Sequence, residues 1–248
     1  MRIALIGYGN MGKEIAALAG EQGIEIAAII DAEAAGATGR EISKEALANA
    51  DVCIEFSNPG SAVENIKGMA ALHKNIVVGT TGWYSKLDEV KKAVEREGIG
   101  LVYASNFSLG VNAFFRIVER AAEVMDKLPE YDVSGLEIHH KGKKDSPSGT
   151  ARAIEKILLE RIARKKRAVE GKLDRKIEGD ELHFASLRTG NVPGTHSVLF
   201  DSIADSIELT HTARNRQGFA LGALQAAKWV KGKKGFYSID DMMKELFE

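Results

Sequence analysis

Six residues near the start of the chain, Gly7, Tyr8, Gly9, Asn10, Met11 and Gly12, constrain its fold more than any others. They follow the apolar run Arg2 to Ile6 and precede a stretch of helical period, so they make a G-x-G-x-x-G turn between a strand and a helix. In that setting the first glycine permits the tight turn, the second lets backbone approach a pyrophosphate, and the third allows close helix packing. Amides at the helix start then meet the anion. Such a turn alone also serves ordinary strand-to-helix connections. Asp31 supplies the second half of the pattern: it follows the next predicted strand and stands 19 positions after Gly12, near the roughly 20-residue spacing of the carboxylate that holds the ribose hydroxyls. Together these residues predict dinucleotide binding. An acid at position 31 repels a 2′-phosphate, and Ala32 and Glu33 bring no cation beside it. NADH is therefore expected to serve at least as well as NADPH.

The surrounding pattern fits that turn. Predicted strands at Arg2 to Ile6, Ile24 to Ile30, Val52 to Glu55, Ile76 to Val78 and Gly100 to Tyr103 alternate with predicted helices near Met11 to Gln22, Ala62 to His73 and Ser85 to Glu97. Continuous apolar strands suit a parallel sheet covered on both faces. After Asn106 the grammar changes. A long helix from about Val111 to Lys127 precedes a strand through Glu137, and Glu181 to Arg188, Ser197 to Asp201 and Ser206 to Thr212 alternate as in a mixed or antiparallel sheet. Helical spacing returns over Gly218 to Lys231, with Ala220, Leu221, Leu224, Ala227 and Trp229 available for a buried stripe. The expected class is α/β: an N-terminal Rossmann-type parallel-sheet domain (residues 1–106 with 217–248) and a second α+β domain on a mixed or antiparallel sheet (107–216), for substrate and oligomerisation.

Composition matters here for what it excludes. Lys plus Arg (34) nearly cancels Asp plus Glu (35) over 248 residues, so no molecule-wide field would draw the chain to nucleic acid or to an anionic membrane. No run approaches the roughly 20 apolar residues of a membrane span, and the N-terminal apolar run is too short for a signal peptide. The single cysteine, Cys53, sits in an apolar strand and reads as an inert buried thiol. A cytoplasmic enzyme is expected. The basic stretch Arg161, Arg164, Lys165, Lys166, Arg167 reads as the solvated end of a helix.

Glu137 to Ala151, EIHHKGKKDSPSGTA, is the most chemically dense stretch. If its strand continues, His139, Lys141 and Lys143 share one face and His140 lies on the other, although Gly142 argues against continuation. Ser146, Pro147, Ser148, Gly149 and Thr150 have a helix-starting composition, and free amides at Gly149 and Thr150 would make a small anion site. From composition alone, a capped helix after a basic loop is an equal reading. No metal site is expected.

The stretch resembles the motif E-x-H-H-x-x-K-x-D-x-P-S-G-T-A of the 4-hydroxy-tetrahydrodipicolinate reductases, matching Glu137, His139, His140, Lys143, Asp145, Pro147, Ser148, Gly149, Thr150 and Ala151. Similarity extends through the glycine loop, Gly79 to Trp83, Ala104 to Asn112 and Arg188 to His196. The resemblance implies that Gly79, Thr80, Thr81, Ala104, Asn106 and Phe107 border the nicotinamide. It implies His139 and Lys143 as candidates for proton donation, with His140, Lys143, Gly149 and Thr150 on the carboxylates of a cyclic dicarboxylate. That substrate loses water to a conjugated imine before hydride arrives from NADH or NADPH, and the family is homotetrameric. Asn10 departs from the family, many of whose members carry an arginine there that meets a 2′-phosphate. Two other readings fit the layout: a Rossmann amino-acid dehydrogenase, and a non-catalytic nucleotide sensor.

Overall fold

A computed structural model describes residues 1–247, which fold into two compact units, residues 1–109 with 216–247 and residues 110–215. In chain order the first unit contributes β1 (Arg2–Ile6), α1 (Asn10–Ala19), β2 (Glu25–Ile30), α2 (Lys44–Leu47), β3 (Val52–Glu55), α3 (Ala62–Ala71), β4 (Asn75–Val78), α4 (Leu87–Glu97) and β5 (Gly100–Tyr103). The second contributes α5 (Leu109–Met125), β6 (Asp132–His139), α6 (Gly149–Arg161), β7 (Arg167–Val169), β8 (Glu181–Arg188), β9 (Thr195–Asp201) and β10 (Ser206–Thr212). The chain then returns to the first unit with α7 (Gln217–Val230), β11 (Gly235–Ser238) and α8 (Ile239–Phe247).

Six parallel strands in the order β11-β5-β4-β3-β1-β2 form the first sheet. Both faces are dry, which is why its strands read as unbroken apolar runs. Ile3, Leu5, Val52 and Ile54 pack with Ile15, Leu18, Leu224 and Val230 on one side. Ala4, Ile6, Cys53 and Ile76 pack with Ile66, Met69, Val90 and Val94 on the other. The reversal of strand order beside β1 puts the loops after β1, β2 and β3 around one crevice at the carboxyl ends of the strands, where open α/β sheets take ligands. Cys53 is fully buried, and burial pushes its thiol up to about 12. Helix α7 buries Ala220, Ala223, Leu224, Ala226, Ala227 and Val230. Its expected stripe is corrected at Leu221, which faces outward, while Trp229 packs partly buried against the same core, edge-on to Tyr237 and beneath the ammonium of Lys233.

The second sheet runs β10-β9-β6-β8-β7 and is mixed: β6 pairs antiparallel with β9 and parallel with β8. Its inner face, with Val133, Leu182, Phe184, Val198 and Phe200, packs against Phe114, Val118, Ile154 and Leu158 of α5 and α6. The basic stretch at the end of α6 is only partly solvated: Arg161, Lys166 and Arg167 are exposed, but Arg164 and Lys165 turn inward. Lys165 is only 2% exposed, with Nζ 2.7 Å from the Glu181 carbonyl and 2.6 Å from Asp132. Arg164 donates to the carbonyls of Met125 and Tyr131. These two cations satisfy carbonyls brought to them by other elements, a long-range demand that helix-dipole reasoning cannot supply.

Candidate active site

In the first unit, Gly7 adopts φ +94°, and a Cβ there would lie 2.3 Å from the Phe56 carbonyl oxygen. A Cβ on Gly12 would lie 2.3 Å from the Gly7 carbonyl oxygen, whereas Gly9 has open space above it. Two glycines therefore let chain meet chain, and the third leaves room for a ligand at the N-terminus of α1. The next residues, Asn10 and Met11, open that helix. Asp31 Oδ2 accepts from the Tyr8 amide at 2.7 Å, and Oδ1 accepts from the amides of Glu33 and Ala34 at 3.0 and 2.8 Å. The Tyr8 amide foremost, then those of Glu33 and Ala34, hold this carboxyl below its ordinary range. Asp31 is an anion with lone-pair capacity remaining on Oδ2, as a ribose-binding carboxylate requires.

Gly7, Gly9 and Asp31 line a cavity of about 860 Å³ together with residues absent from the predicted set, among them Arg40, Lys44, Ser57 and Asn65. Arg40 is the informative addition. Its Nη1 donates to the carbonyls of Asp31, Ala32 and Ala34 at 3.0 to 3.3 Å, because the chain turns back to bridge Ile30 with Gly39. The cation missing next to Asp31 in sequence is thus present in space.

The residues predicted at the nicotinamide follow the carboxyl ends of β4 and β5, one strand further along the same edge, and do not line this cavity. A Cβ on Gly79 would strike the Phe56 ring at 2.1 Å. Thr80 is buried with Oγ1 unpartnered, and its carbonyl accepts from the Trp83 indole at 2.7 Å. Thr81 and Gly82 continue that turn, Gly82 at φ +83°. The side chains of Ala104 and Phe107 belong to the core, so what they can offer a ligand is backbone, while Asn106 Oδ1 accepts from the Ser108 amide at 2.8 Å.

In the second unit the strand ends at His139 and the chain turns, the Lys143 amide donating to the His140 carbonyl at 3.1 Å. Strand alternation therefore does not place Lys141 and Lys143 beside His139, because the strand has already ended there. Lys143 Nζ lies 2.9 and 3.0 Å from the two Asp145 oxygens. Ser148 caps α6, its Oγ accepting from the Ala151 amide at 3.1 Å, so Pro147 precedes the cap and does not stand in the first turn. Beyond Gly149 there is open space, and no acceptor among the described residues takes the amides of Gly149 and Thr150.

Beneath these groups lies Glu137, 0% exposed. Register fixes its neighbours: Ser186 on β8 and His196 on β9 stand directly opposite it. Its Oε1 accepts from Arg188 Nη2 and Ser186 Oγ, both at 2.9 Å, and the Ser148 amide lies 3.1 and 3.2 Å from the two oxygens. Nδ1 of His139 stands 3.3 Å from Oε2, and Nε2 of His196 stands 3.6 Å from the same oxygen and 3.2 Å from Ser148 Oγ. Burial pushes Glu137 up, but the hydrogen bonds from His196, Ser148, Arg188 and Ser186 outweigh it and hold the group well below the usual carboxylate range. Burial dominates at His139, lowering it to about 4 against the pull of Glu137, with His196, Lys143 and Arg188 adding to the lowering. Glu137, His139 and His196 bring three ligand-type atoms within 4.8 Å. Arg188 already neutralises the carboxylate, so the set suits a hydrogen-bond network better than a cation.

Two family models match the chain, Dihydrodipicolinate reductase, N-terminus, over residues 1–107 and Dihydrodipicolinate reductase, C-terminus, over residues 110–243. It is 39% identical over 248 residues to a 4-hydroxy-tetrahydrodipicolinate reductase of Christiangramia forsetii, covering 100% of both chains. It is 37% identical over 246 residues to one of Methanoregula boonei, covering 95% of this chain and 94% of the relative. A dipicolinate-bound dihydrodipicolinate reductase from Paenisporosarcina sp. TG-14 shares the fold at a TM-score of 0.80 and 22% identity, covering 98% of this chain and 99% of the other.

Proposed function

The chain belongs to the dihydrodipicolinate reductase family, and from that premise we propose how its residues divide the family's work. The activity is that of a 4-hydroxy-tetrahydrodipicolinate reductase, an NAD(P)H-dependent oxidoreductase of diaminopimelate and lysine biosynthesis. This sets aside the amino-acid dehydrogenase and the sensor.

The first unit fits the cofactor. Gly7, Tyr8, Gly9, Asn10, Met11 and Gly12 hold the pyrophosphate, Asp31 the adenosine ribose, and Gly79, Thr80, Thr81, Ala104, Asn106 and Phe107 border the nicotinamide. When bound, the dinucleotide supplies the hydride. The residues of the second unit bind, orient and protonate. The observation that carries this assignment is the convergence of Ser186, Arg188 and the start of α6 on one buried carboxylate beside His139. Amides of Gly149 and Thr150, with His140 and Lys143, take the substrate carboxylates. Reduction of the conjugated imine adds one hydride and one proton. His139, held at about 4 chiefly by burial, is neutral near pH 7, which leaves Lys143 Nζ as the proton source. Its ion pair with Asp145 gives way to the substrate's carboxylate.

Leu136, Ile138, Ala185, Leu187 and Leu199 share the face of the second sheet opposite α5 and α6, with Leu187 51% exposed. That face supports a homotetramer. The charge balance gives nucleic acid no purchase, no helix among the described residues is long and apolar enough to cross a membrane, and a free buried thiol suits the cytoplasm.

The test is NADH oxidation fed by the upstream synthase, whose product is the substrate. Turnover only when that synthase and its substrates are present supports the reading. No oxidation with either nucleotide would refute it.

A further inference from the structure

The cavity of the first unit carries a polar wall that the glycine loop and Asp31 do not account for. Glu55, which ends β3, is fully buried, and its Oε1 accepts from the amide of Ser57 at 3.2 Å and from the Ser57 hydroxyl. A hydroxyl has one proton, and Ser57 gives it to the carboxylate. Toward Asn65 of α3, 3.1 Å away, Ser57 Oγ can then only accept, so the donor is Asn65 Nδ2. The same nitrogen lies 3.4 Å from Glu55 Oε1 and 3.5 Å from Ser61 Oγ. Turning the amide over would set Asn65 Oδ1 against the oxygens of Glu55 and Ser57 with no proton between them, so its orientation is fixed. No described residue donates to Oδ1, and the atom is not buried, which leaves an acceptor open at the cavity that Ser57, Ser61 and Asn65 line. Asn58 Oδ1 takes the amides of Gly60 and Ser61 at 3.0 and 3.1 Å and so pins the start of α3. Further along, the lining turns apolar at Ile42, Gly68 and Leu72, with Ile42 Cγ2 3.6 Å from a Cβ built on Gly68. Such a surface suits a flat ring.

We propose that Asn65 reads the adenine of the dinucleotide: Oδ1 accepts from the exocyclic amino group, and Glu55, acting through Ser57, is the positioning residue that keeps this acceptor outward. This rests on reading the glycine loop as the pyrophosphate site and Asp31 as the ribose site. With those two parts placed, the base is what the rest of the cavity takes, because the residues assigned to the nicotinamide do not line it. Adenine brings a 6-amino donor. Hypoxanthine brings a 6-keto oxygen, which would meet Oδ1 acceptor to acceptor, and a polar site rejects an analogue that leaves its group unpaired.

The test titrates the substrate-free full chain by nicotinamide fluorescence, once with NADH and once with reduced nicotinamide hypoxanthine dinucleotide. Wild type is expected to hold NADH about tenfold tighter, the scale of one polar group left unpaired. In Asn65→Leu the acceptor is gone and the two dinucleotides bind alike. Glu55→Gln offers Ser57 a donor in place of an acceptor, which releases the hydroxyl proton to Asn65, lets the amide turn and brings the two affinities together, a change that loss of packing alone would not produce. Should either variant fail to fold, the wild-type pair of affinities still decides: equal binding, or tighter binding of the hypoxanthine form, would overturn the proposal. A preference for NADH that persists in folded Asn65→Leu would overturn it as well, and one that persists in folded Glu55→Gln would remove Glu55 from it. The affinities are read without substrate, so a chain that prefers NADH but does not turn over would sink the functional reading and leave this assignment standing.

Discussion

Gly194 stands against the imidazole of His139: a Cβ built on it would lie 2.9 Å from Nε2, and its φ of +157° disfavours any other residue. The nitrogen remote from Glu137 is therefore flanked by bare backbone, and Gly194→Ala must displace the ring. The expected result is a fall in kcat of about tenfold or more with unchanged NADH affinity, checked by steady-state kinetics beside fluorescence titration of NADH.

His139 gives a pH prediction. Held at about 4, it is neutral in the free enzyme from about pH 5 upward, so the pH profile of kcat/KM should show no break near 6.5 due to this residue. Between the unfolded value of 6.5 and about 4, the unfolded chain binds a proton that the folded chain refuses. This group therefore costs the fold stability as pH falls through that window and is without effect above it. Denaturant midpoints of wild type and His139→Gln, measured from pH 7 to 4.5, should show the wild type losing more stability.

Arg40 carries a prediction about cofactor choice. With Nη1 engaged by three carbonyls beside Asp31, it is a fixed cation in the cleft. Arg40→Ala should lower kcat/KM for NADPH about tenfold, the scale of one charge-assisted contact, and change the NADH value little. Equal losses for both nucleotides would instead place Arg40 at a structural task.

How much of this was legible in the sequence depends on distance along the chain. Gly7 to Gly12 and Asp31 could be read because the turn and the carboxylate are tied to consecutive strands with fixed spacing. Arg40 could not, since it reaches Asp31 only through the bridge between Ile30 and Gly39. His139, Lys143 and the start of α6 were visible as a dense motif, and the resemblance gave them roles. Their support was not visible: Ser186, Arg188 and His196 reach Glu137 through the register of β8 and β9 against β6, which no local pattern encodes. The signal that pointed there was Glu137 itself, an acid two residues before His139 on the inward side of the strand. Lys165 failed for the same reason, its partners Asp132 and Glu181 lying on two other strands.

The open face of the second sheet carries an assembly prediction. Leu199→Asp or Leu187→Asp puts a charge into the apolar stripe without touching the core beneath α5 and α6. Light scattering should show a smaller assembly for either variant, with far-UV circular dichroism unchanged. A tetramer that survives both charges would place the interface elsewhere.

The most direct test of the account is Lys143→Ala, assayed with coupled substrate while NADH binding is measured on the same preparation. The account predicts kcat lower by about a hundredfold or more, the scale of losing a positioned proton donor, with NADH affinity and melting temperature unchanged. A variant turning over at near wild-type rate would contradict it.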